Sequence, residues 1–289
     1  MNQIAVSGSK DGSVTVGRGC SIGSGAKIMF AGPGSVELGD YVTIGDDVKM
    51  IVEGGVVSIG EWSTLHAGTT VLCKNGVSIG AHCWFGQNSV IDGTGGLTIE
   101  NGVRVGMYSQ LWTHVAAGEQ IEGCTLYGET PSHIESDVWL VGTCTLGSGV
   151  RIGRRTVALA GSNITKSCPP NVVLAGAPAR VKDGLSFYRD ISLDEKFELL
   201  SGWISDAPFA SGEGVSLDVD ETKITLTIDD QGAVIFYKRS ADFIAAASRQ
   251  QDGVTLCCVE SKRYVKMFSD AERRVLKYLS GNKARFYSI

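Results

Sequence analysis

The 289-residue sequence predicts a mainly β fold, in which a parallel β-helix of hexapeptide repeats precedes a smaller α+β domain. Apolar residues recur at every sixth position within each repeat between residues 16 and 164, and glycine usually follows them. A strand has a period of two and a helix a period of 3.6, so a sustained period of six indicates a repeat architecture. After residue 181 the repeat ends and the composition changes.

The repeat has three columns of seven positions, and all 21 positions are apolar. The columns are Val16, Leu38, Ile59, Ile79, Ile99, Ile134 and Ile152; Ile22, Ile44, Leu65, Phe85, Val105, Leu140 and Ala158; and Ile28, Met50, Val71, Ile91, Leu111, Leu146 and Ile164. Three hexads can form a triangular coil, and stacked coils pair their strands in parallel around an apolar axis. Glycine after the inward residue is expected to permit a backbone bend that a Cβ would forbid.

The spacing between coils varies along the chain. Successive coils are 22, 21, 20, 20, 35 and 18 residues apart. The extra residues of the early coils include turn-forming glycine, asparagine and proline. The step of 35 leaves residues 113–133 as an insertion, and long insertions in compact domains are usually functional.

The region after the repeat predicts an α+β domain. Its first helix can be capped by Ser192 or Asp194. The apolar residues at helical spacing are Leu193, Phe197, Leu200 and Trp203. Strands are predicted at 215–220, 223–229 and 233–239 and in the runs GVTLCCVE and RYVKMF, and AERRVLKYLSG predicts a closing helix. We therefore predict two domains, 1–182 and 183–289, and the second contains no histidine.

Composition restricts the classes of partner. The net charge of −5 argues against nucleic acid. The first twenty residues do not resemble a signal peptide and no apolar run approaches 18 residues, so a cytoplasmic protein without membrane insertion is expected. Eight cysteines without CxxC spacing predict reduced thiols.

Two segments carry a family resemblance. They are GSNITKSCPPNVVLAGAPARV at 161–181 and DVWLVG at 137–142. The run at 161–181 resembles the closing signature of the left-handed β-helix acyltransferases, the hexapeptide-repeat or isoleucine-patch family. The run at 137–142 is similar to the tryptophan-bearing corner of that family. The resemblance covers residues 14–181, and the appended C-terminal domain resembles that of some sugar-modifying members.

This resemblance implies a donor, acyl-CoA and usually acetyl-CoA, bound in a groove between neighbouring subunits of a homotrimer. Small residues would leave room for the pantetheine chain, while Lys166 and Arg180 would meet the phosphates. The other interpretation of these two cations is solvated surface charge. The predicted donor-binding residues are Trp139, Gly142, Ala160, Gly161, Lys166, Ala175 and Arg180.

His114 in the run LWTHVAAGE is the predicted catalytic residue. The resembling enzymes carry a catalytic histidine on such a corner or loop, and imidazole titrates near neutrality, as a general base must. Asp92, Glu119 or Glu122 could orient the ring. The alternative is a polar loop residue without catalytic function.

The remaining histidines are weaker candidates. His133 follows the insertion and could approach the site, whereas His66 and His82 are expected to be structural. Their positions on different faces do not predict a metal site, which a metal-dependent hydratase on this scaffold would need.

The acceptor is predicted to be a sugar. Aromatic side chains near the insertion suit sugar rings, and polar side chains can fix hydroxyls. Packing caps or subunit contacts are the alternative roles of these aromatics. The predicted acceptor-binding residues are Tyr108, Gln110, Trp112, Glu119 and Asp92, and Tyr127 also borders the insertion.

Together these features predict an acyl-CoA-dependent acyltransferase. It would act on a hydroxyl or amino group of a sugar or nucleotide sugar, in surface-polysaccharide synthesis. Two alternatives stay open at this stage: an acetyltransferase of another small acceptor, such as an antibiotic or a metabolite, and a non-catalytic β-helix scaffold.

Overall fold

The computed structural model describes residues 4–249 and 251–289, and the chain divides into two compact units, Met1–Tyr188 and Arg189–Ile289. The first unit is a parallel β-helix with three faces, which we name A, B and C. The chain passes through face B, then C, then A in each coil. The predicted β-helix and the mainly β class are confirmed.

The strands of the β-helix are short, because each hexad supplies one strand and one corner. In chain order they are β1 (Ala5–Gly8), β2 (Gly12–Val16), β3 (Ser21–Ile22), β4 (Lys27–Phe30), β5 (Gly34–Leu38), β6 (Thr43–Ile44), β7 (Lys49–Val52), β8 (Val56–Ile59), β9 (Thr64–Leu65), β10 (Thr70–Cys73), β11 (Val77–Ile79), β12 (Trp84–Phe85), β13 (Val90–Gly93), β14 (Leu97–Ile99), β15 (Arg104–Val105), β16 (Gln110–Leu111), β17 (His114–Ala116), β18 (Tyr127–Glu129), β19 (Ser132–Ile134), β20 (Trp139–Leu140), β21 (Thr145–Leu146), β22 (Arg151–Ile152), β23 (Val157–Ala158), β24 (Asn163–Ile164), β25 (Val173–Ala175) and β26 (Arg180–Val181).

Each face is one sheet of stacked strands. Face A has the order β1-β4-β7-β10-β13-β16-β21-β24, face B the order β2-β5-β8-β11-β14-β19-β22, and face C the order β26-β25-β23-β20-β15-β12-β9-β6-β3. All neighbours in these sheets pair in parallel except β25 and β26, which are antiparallel.

The six-residue grid describes the strand register. All eighteen neighbouring positions in the three columns are Cα partners in adjacent strands. Nineteen of the 21 side chains are buried. Val16 and Ile22 are not, because β2 and β3 are terminal strands of their sheets within the described chain. Ile28 in the same coil is buried, since β1 pairs Val6 with it.

The early coils contain inward residues that the grid does not include. Phe30, Val52 and Cys73 lie two residues after the third column and are buried. Side chains two apart in a strand share a face, so these residues extend the core towards the corner between faces A and B. The extra residues therefore widen the coils as well as forming turns.

The glycines after the inward residues have a different cause from the one predicted. A Cβ on Gly86 would lie 2.4 Å from the Met107 nitrogen, and a Cβ on Gly106 would lie 2.0 Å from the Val141 oxygen. Their backbone is not left-handed; the left-handed residue of this corner comes two positions later, as at Tyr108 with φ of 59°. Glycine is needed because the next coil packs too closely for a side chain.

The insertion between the fifth and sixth coils is a β-hairpin. β17 and β18 pair antiparallel, with His114 opposite Glu129, and a 3-10 turn at Gln120–Glu122 lies at the tip. The β-helix continues past the hairpin, because Leu111 still pairs with Leu146 in the next coil of face A.

The second unit is an α+β domain. In the described part of the chain it has α1 (Leu193–Ser205), β27 (Val215–Val219), β28 (Lys223–Ile228), β29 (Gly232–Tyr237), α2 (Ser240–Ala247), β30 (Val254–Cys258), β31 (Arg263–Val265), α3 (Asp270–Ser280) and β32 (Tyr287–Ser288). The strands form one sheet in chain order. No helix in the described residues is long and apolar enough to span a membrane.

The helices of this unit follow the sequence pattern in part. The Ser192 hydroxyl caps α1 by accepting a hydrogen bond from the Glu195 nitrogen at 3.1 Å. Ile204 is the buried residue of its last turn, and Trp203 is half-buried. The sequence did not predict α2, in which Phe243 is buried among small and exposed residues. The residues expected to line one face of α3, namely Ala271, Val275, Leu276 and Leu279, are all buried.

The first unit extends a few residues beyond the repeat. The Tyr188 hydroxyl donates to the Asp137 carbonyl oxygen at 3.1 Å. The Arg155 guanidinium lies over the Tyr188 ring, 5.1 Å from its centroid. These contacts attach the segment after residue 181 to the β-helix.

Gly106→Ala tests the close stacking of coils. The added methyl would meet the Val141 oxygen, which cannot move without shifting a whole coil. Overpacking of this kind typically lowers the free energy of unfolding by about 1–3 kcal/mol. We expect a thermal midpoint several degrees lower, at roughly 2–4 °C per kcal/mol. Gly128→Ala is the control, since nothing lies within 4 Å of a Cβ there. Equal midpoints for both variants would contradict this explanation.

Candidate active site

A histidine–carboxylate pair lies where the hairpin leaves the β-helix. His114 Nδ1 is 2.9 Å from Asp92 Oδ2. Asp92 belongs to β13 in the coil below, and His114 begins β17. The Asp92 side chain is 0% exposed, whereas 35% of the His114 side chain is exposed. The carboxylate therefore lies behind the ring, and the ring can reach solvent.

The Asp92 carboxylate accepts a full set of hydrogen bonds. Thr94 Oγ1 donates to Oδ1 at 2.5 Å, while the Thr113 nitrogen and Oγ1 donate to Oδ2 at 2.7 and 2.9 Å. Burial raises the pKa of Asp92, but the hydrogen bonds from Thr94, Thr113 and His114 together outweigh burial and hold this pKa below its ordinary value. Asp92 is therefore ionised at neutral pH.

The ionised carboxylate determines the histidine tautomer. A carboxylate can only accept hydrogen bonds, so His114 Nδ1 must carry a proton. In the neutral ring Nε2 is then unprotonated and has a free lone pair. This is the form that can remove a proton from an acceptor.

The turn after β13 explains how Asp92 is buried on the outside of the prism. Asp92 follows the inward Ile91 and therefore points away from the axis. The turn at residues 93–96 then folds against Thr113, whose Oγ1 accepts a hydrogen bond from the Gly95 nitrogen at 2.9 Å. A Cβ on Gly95 would lie 2.3 Å from the backbone oxygen of Thr113, so the close approach of the turn to Thr113 requires glycine.

Trp112 and Gln110 lie beside the pair. The Trp112 ring meets the His114 ring edge-on, with centroids 5.7 Å apart and an interplanar angle of 82°. Trp112 Nε1 donates to Gln110 Oε1 at 3.1 Å. Tyr108 is exposed at the corner between faces C and A. Trp112 and Gln110 thus lie beside the pair, whereas Tyr108 lies at the other end of face A.

The other two predicted acceptor residues lie elsewhere. Glu119 is exposed at the hairpin tip, where its carbonyl accepts a hydrogen bond from the Glu122 nitrogen at 3.1 Å. Asp92 is fully buried with both oxygens occupied, so its position corrects the expectation that it contacts the acceptor. Of the three carboxylates that could orient His114, the structure places Asp92 against the ring.

Four of the predicted donor residues stack at one corner. Gly142, Ala160, Gly161 and Ala175 lie on successive coils at the turn from face C to face A, and the Gly161 nitrogen donates to the Gly142 oxygen at 3.0 Å. Gly142 is buried, so it spaces the coils and does not offer an open surface. Ala160 and Gly161 are exposed.

At Gly161 no side chain of the described chain covers the backbone of this corner. In the three preceding coils its left-handed position is held by Asn88, Tyr108 and Thr143, and in this coil by Gly161 with φ of +72°. Nothing lies within 4 Å of where a Gly161 Cβ would be. Glycine here adopts the left-handed conformation without strain and leaves the backbone edge open to a thin ligand.

The remaining donor candidates lie on face C, after β24 and on β26. Trp139 is 45% exposed on face C. Lys166 is exposed just after β24, and Arg180 is exposed on β26, where it pairs with Ala175. The Arg180 Nη1 donates to the Ala179 oxygen at 3.0 Å, which leaves most of its guanidinium donors for other partners.

The other histidines lie apart from this site. His133 on face B donates from Nε2 to Glu100 Oε1 at 2.8 Å, and the Ser136 hydroxyl also donates to Glu100 at 2.7 Å. His66 packs edge-on against Trp84, and burial lowers the pKa of its imidazole. His82 is buried. Among residues 4–249 and 251–289, no group of three or more His, Cys, Asp or Glu side chains could hold a metal ion.

The residues that support the pair were not predicted from the sequence. Thr94 and Thr113 hold the Asp92 carboxylate, and Lys74 binds Glu129 opposite His114 in the hairpin. An Asp followed two residues later by Thr, within a glycine-rich turn, is a local signal for side-chain capping of a turn. The contact between Lys74 and Glu129 could not be predicted from the sequence, because it depends on the path of the hairpin.

Comparison with known proteins gives two curated relatives named galactoside O-acetyltransferase. No family model matches the chain. The Escherichia coli protein is 47% identical over 51 residues, which make up 18% of this chain and 25% of that protein. The Lactococcus lactis protein is 31% identical over 113 residues, or 39% of this chain and 45% of that protein. The chain thus spans less than half the length of either relative.

A solved structure is also similar to this chain. The polySia-specific acetyltransferase NeuO aligns with a TM-score of 0.46 and 19% identity, over 65% of this chain and 89% of that chain. The curated relatives confirm the resemblance inferred from residues 137–142 and 161–181.

Asp92→Asn tests the electrostatic state of the buried carboxyl. Because the folded pKa of Asp92 lies below its ordinary value, the ionised group stabilises the fold above the unfolded pKa of about 4. That stabilisation is lost as the pH falls through the folded pKa. We therefore expect the thermal midpoint of Asp92→Asn to be lower at pH 7 and to fall less than that of the parent between pH 5 and pH 2.

The control for this measurement is Asp242→Asn, which removes an exposed carboxylate on α2. It should leave the pH dependence of the midpoint unchanged. Parallel curves for Asp92→Asn and the parent would show that Asp92 is not held ionised by its hydrogen bonds.

Proposed function

We propose that this chain, whose β-helix is related in sequence to the hexapeptide-repeat acetyltransferases, transfers an acetyl group from acetyl-CoA to a hydroxyl group of a sugar. His114 is the general base. The observation that carries the proposal is the Asp92–His114 pair, in which a buried carboxylate fixes the ring and leaves Nε2 available at the one large insertion of the repeat.

The reaction needs no covalent enzyme intermediate. His114 Nε2 takes the proton from the acceptor hydroxyl while the oxygen attacks the thioester carbonyl. The imidazolium formed is stabilised by Asp92, and its proton then goes to the CoA sulfur as the carbon–sulfur bond breaks. General bases of this kind contribute about 10²–10⁴-fold to a rate.

The donor would lie along the corner near Ala160 and Gly161. The open backbone edge there can exchange hydrogen bonds with the amides of pantetheine, and Lys166 and Arg180 carry charges that suit its phosphates. Trp139, Gly142 and Ala175 complete this region. In the homotrimer that we propose, the groove lies between neighbouring subunits.

The acceptor would lie along face A beside Trp112 and Gln110, with Tyr108 at the far corner of that face. Aromatic faces suit the apolar faces of sugar rings, and the Gln110 amide can bind a hydroxyl. Glu119 at the hairpin tip would border a larger acceptor. The names of both curated relatives favour transfer to oxygen over nitrogen. Acceptors from surface-polysaccharide synthesis, including nucleotide sugars, form the first group to test.

A cytoplasmic location fits this proposal, because acyl-CoA donors are made and used in the cytoplasm. The test is a screen of acyl-CoA thioesters against sugars, nucleotide sugars and small antibiotic or metabolite acceptors, read by release of free thiol. Thiol release with a sugar supports the proposal. Release only with another acceptor would change the substrate class, and absence of CoA binding by calorimetry would favour a scaffold protein.

His114→Ala should lower the rate of acetyl transfer by about 10²-fold or more, while the dissociation constant for CoA stays unchanged. His133→Ala is the matched control. His133 also bonds to a carboxylate and is exposed to a similar extent, at 33%, but it lies on face B, paired with Thr98 and Arg151. A His114→Ala rate within tenfold of the parent would remove His114 as the base.

Ala160→Trp should weaken CoA binding measured by calorimetry by at least tenfold, an effect of about 1.4 kcal/mol. The indole would cover the open edge beside Gly161, where the donor is proposed to lie. Ala245→Trp, at an exposed position on α2, controls for the added aromatic surface. If both variants bind CoA like the parent, the donor does not use this corner.

A further inference from the structure

The hairpin that carries His114 is tied to the β-helix by three polar residues, which we call the clasp: Lys74, Asn75 and Glu129. Lys74 Nζ donates to Glu129 Oε1 at 2.6 Å, and Asn75 Nδ2 donates to Glu129 Oε2 at 3.4 Å. Lys74 and Asn75 follow β10 in the third coil, whereas the hairpin leaves the fifth coil. The clasp therefore reaches across the coil that contains Asp92.

The clasp is connected to both members of the catalytic pair, to His114 by strand pairing and to Asp92 through Thr94. Glu129 is the Cα partner of His114 in the hairpin. On the other side, Asn75 Nδ2 donates to the Thr94 carbonyl oxygen at 2.6 Å, and the Thr94 hydroxyl donates to Asp92. A displacement of the clasp would thus move the ring and its carboxylate relative to each other.

The hairpin depends on such ties because its own pairing is short. β17 and β18 share only three residue pairs, and two-stranded hairpins are marginally stable alone. At its base, the Thr130 nitrogen donates to the Thr113 oxygen at 2.9 Å, and the Ser148 hydroxyl donates to the same oxygen at 2.9 Å. These bonds hold the base of the hairpin. The clasp then fixes the direction in which β17 and β18 leave the β-helix.

The charge of the hairpin is complementary to that of Lys74. Residues 113–130 contain three glutamates, Glu119, Glu122 and Glu129, and no lysine or arginine. The Glu129 carboxylate raises the pKa of Lys74 through a hydrogen bond. The cation thus remains charged wherever the enzyme would operate.

We propose that Lys74 and Asn75 are positioning residues: they hold the hairpin so that His114 Nδ1 stays on Asp92 and Nε2 faces the acceptor. This proposal rests on the proposed function. Neither residue needs to touch a substrate. An exposed ion pair contributes little to stability, so its removal leaves the fold intact. A shift of about 1 Å in a catalytic group can nevertheless lower a rate by about 10²-fold.

The kinetic test compares Lys74→Met, Lys74→Arg and Asn75→Ala with the parent. We expect kcat to fall about tenfold in Lys74→Met and Asn75→Ala, and to stay within about threefold in Lys74→Arg, because arginine can keep the ion pair. KM for acetyl-CoA should not change, because the clasp joins the third coil to the hairpin after the fifth coil, whereas the proposed donor residues lie on later coils. Exchanging the charges in Lys74→Glu/Glu129→Lys should recover part of the loss seen in either single variant.

Arg151→Met is the matched control for removal of an exposed ion pair. Arg151 Nε donates to Glu135 Oε1 at 2.7 Å on face B, and the other hydrogen bonds of these two residues that involve a side chain are made with Ser167 and Arg154. This variant should keep the parent kcat. A purely structural role for Lys74 would lower the thermal midpoint of Lys74→Met while leaving kcat at the parent value.

A second readout does not depend on knowing the acceptor. The ¹⁵N spectrum of His114, assigned by its loss in His114→Ala, reports which ring nitrogen carries the proton. The parent should show a proton on Nδ1 and a bare Nε2. In Lys74→Met/Asn75→Ala the two tautomers should mix, which shifts the Nε2 signal towards its protonated position. Arg151→Met should give the parent spectrum.

The outcomes separate this proposal from the proposed function. If His114→Ala retains full activity, the assigned base is wrong, and the ¹⁵N spectra still decide whether the clasp orients the ring. If His114 is required but the clasp variants match the parent in kcat and in the ¹⁵N spectrum, the positioning role is overturned.

Discussion

The parallel pairing of stacked coils is the constraint on which the rest of the structure depends. It places each inward residue of one coil beside the inward residue of the next, as Ile91 lies beside Leu111. Outward residues are placed with the same regularity, so Asp92 occupies a fixed position below the start of the hairpin. The pairing continues from Leu111 to Leu146 across the insertion. The β-helix therefore holds its shape while the hairpin carries His114.

The contrast between coil and hairpin explains how the site is divided. The carboxylate belongs to the rigid part, where the backbone turn of Gly93 to Gly96 and the threonines Thr94 and Thr113 leave it one arrangement. The histidine belongs to the inserted part, whose short pairing leaves more freedom. Fixing the ring then requires contacts from both sides, which Asp92 and the clasp provide. An exposed ring on a buried carboxylate is a common way to prepare a base.

The sequence predicted most of the fold because the repeat is read directly from its period. Every grid neighbour became a strand partner, including Val105 with Leu140 on either side of the insertion. It suggested His114 as a candidate base and included Asp92 among three carboxylates that could orient it, but it could not choose between them, since that choice depends on where the hairpin folds. The reason for the corner glycines was also beyond the sequence. A period shows that Gly106 recurs, whereas only the next coil shows that the Val141 oxygen excludes a side chain.

The central claim is that acetyl transfer depends on an unprotonated His114 held by an ionised Asp92. Its most direct test is the pH dependence of kcat/KM for acetyl transfer in the parent and in Asp92→Asn. Asp92→Asn should be at least tenfold slower at its optimum, because the ring loses the partner that fixes its tautomer and stabilises its cation. An unchanged rate in Asp92→Asn would contradict the account.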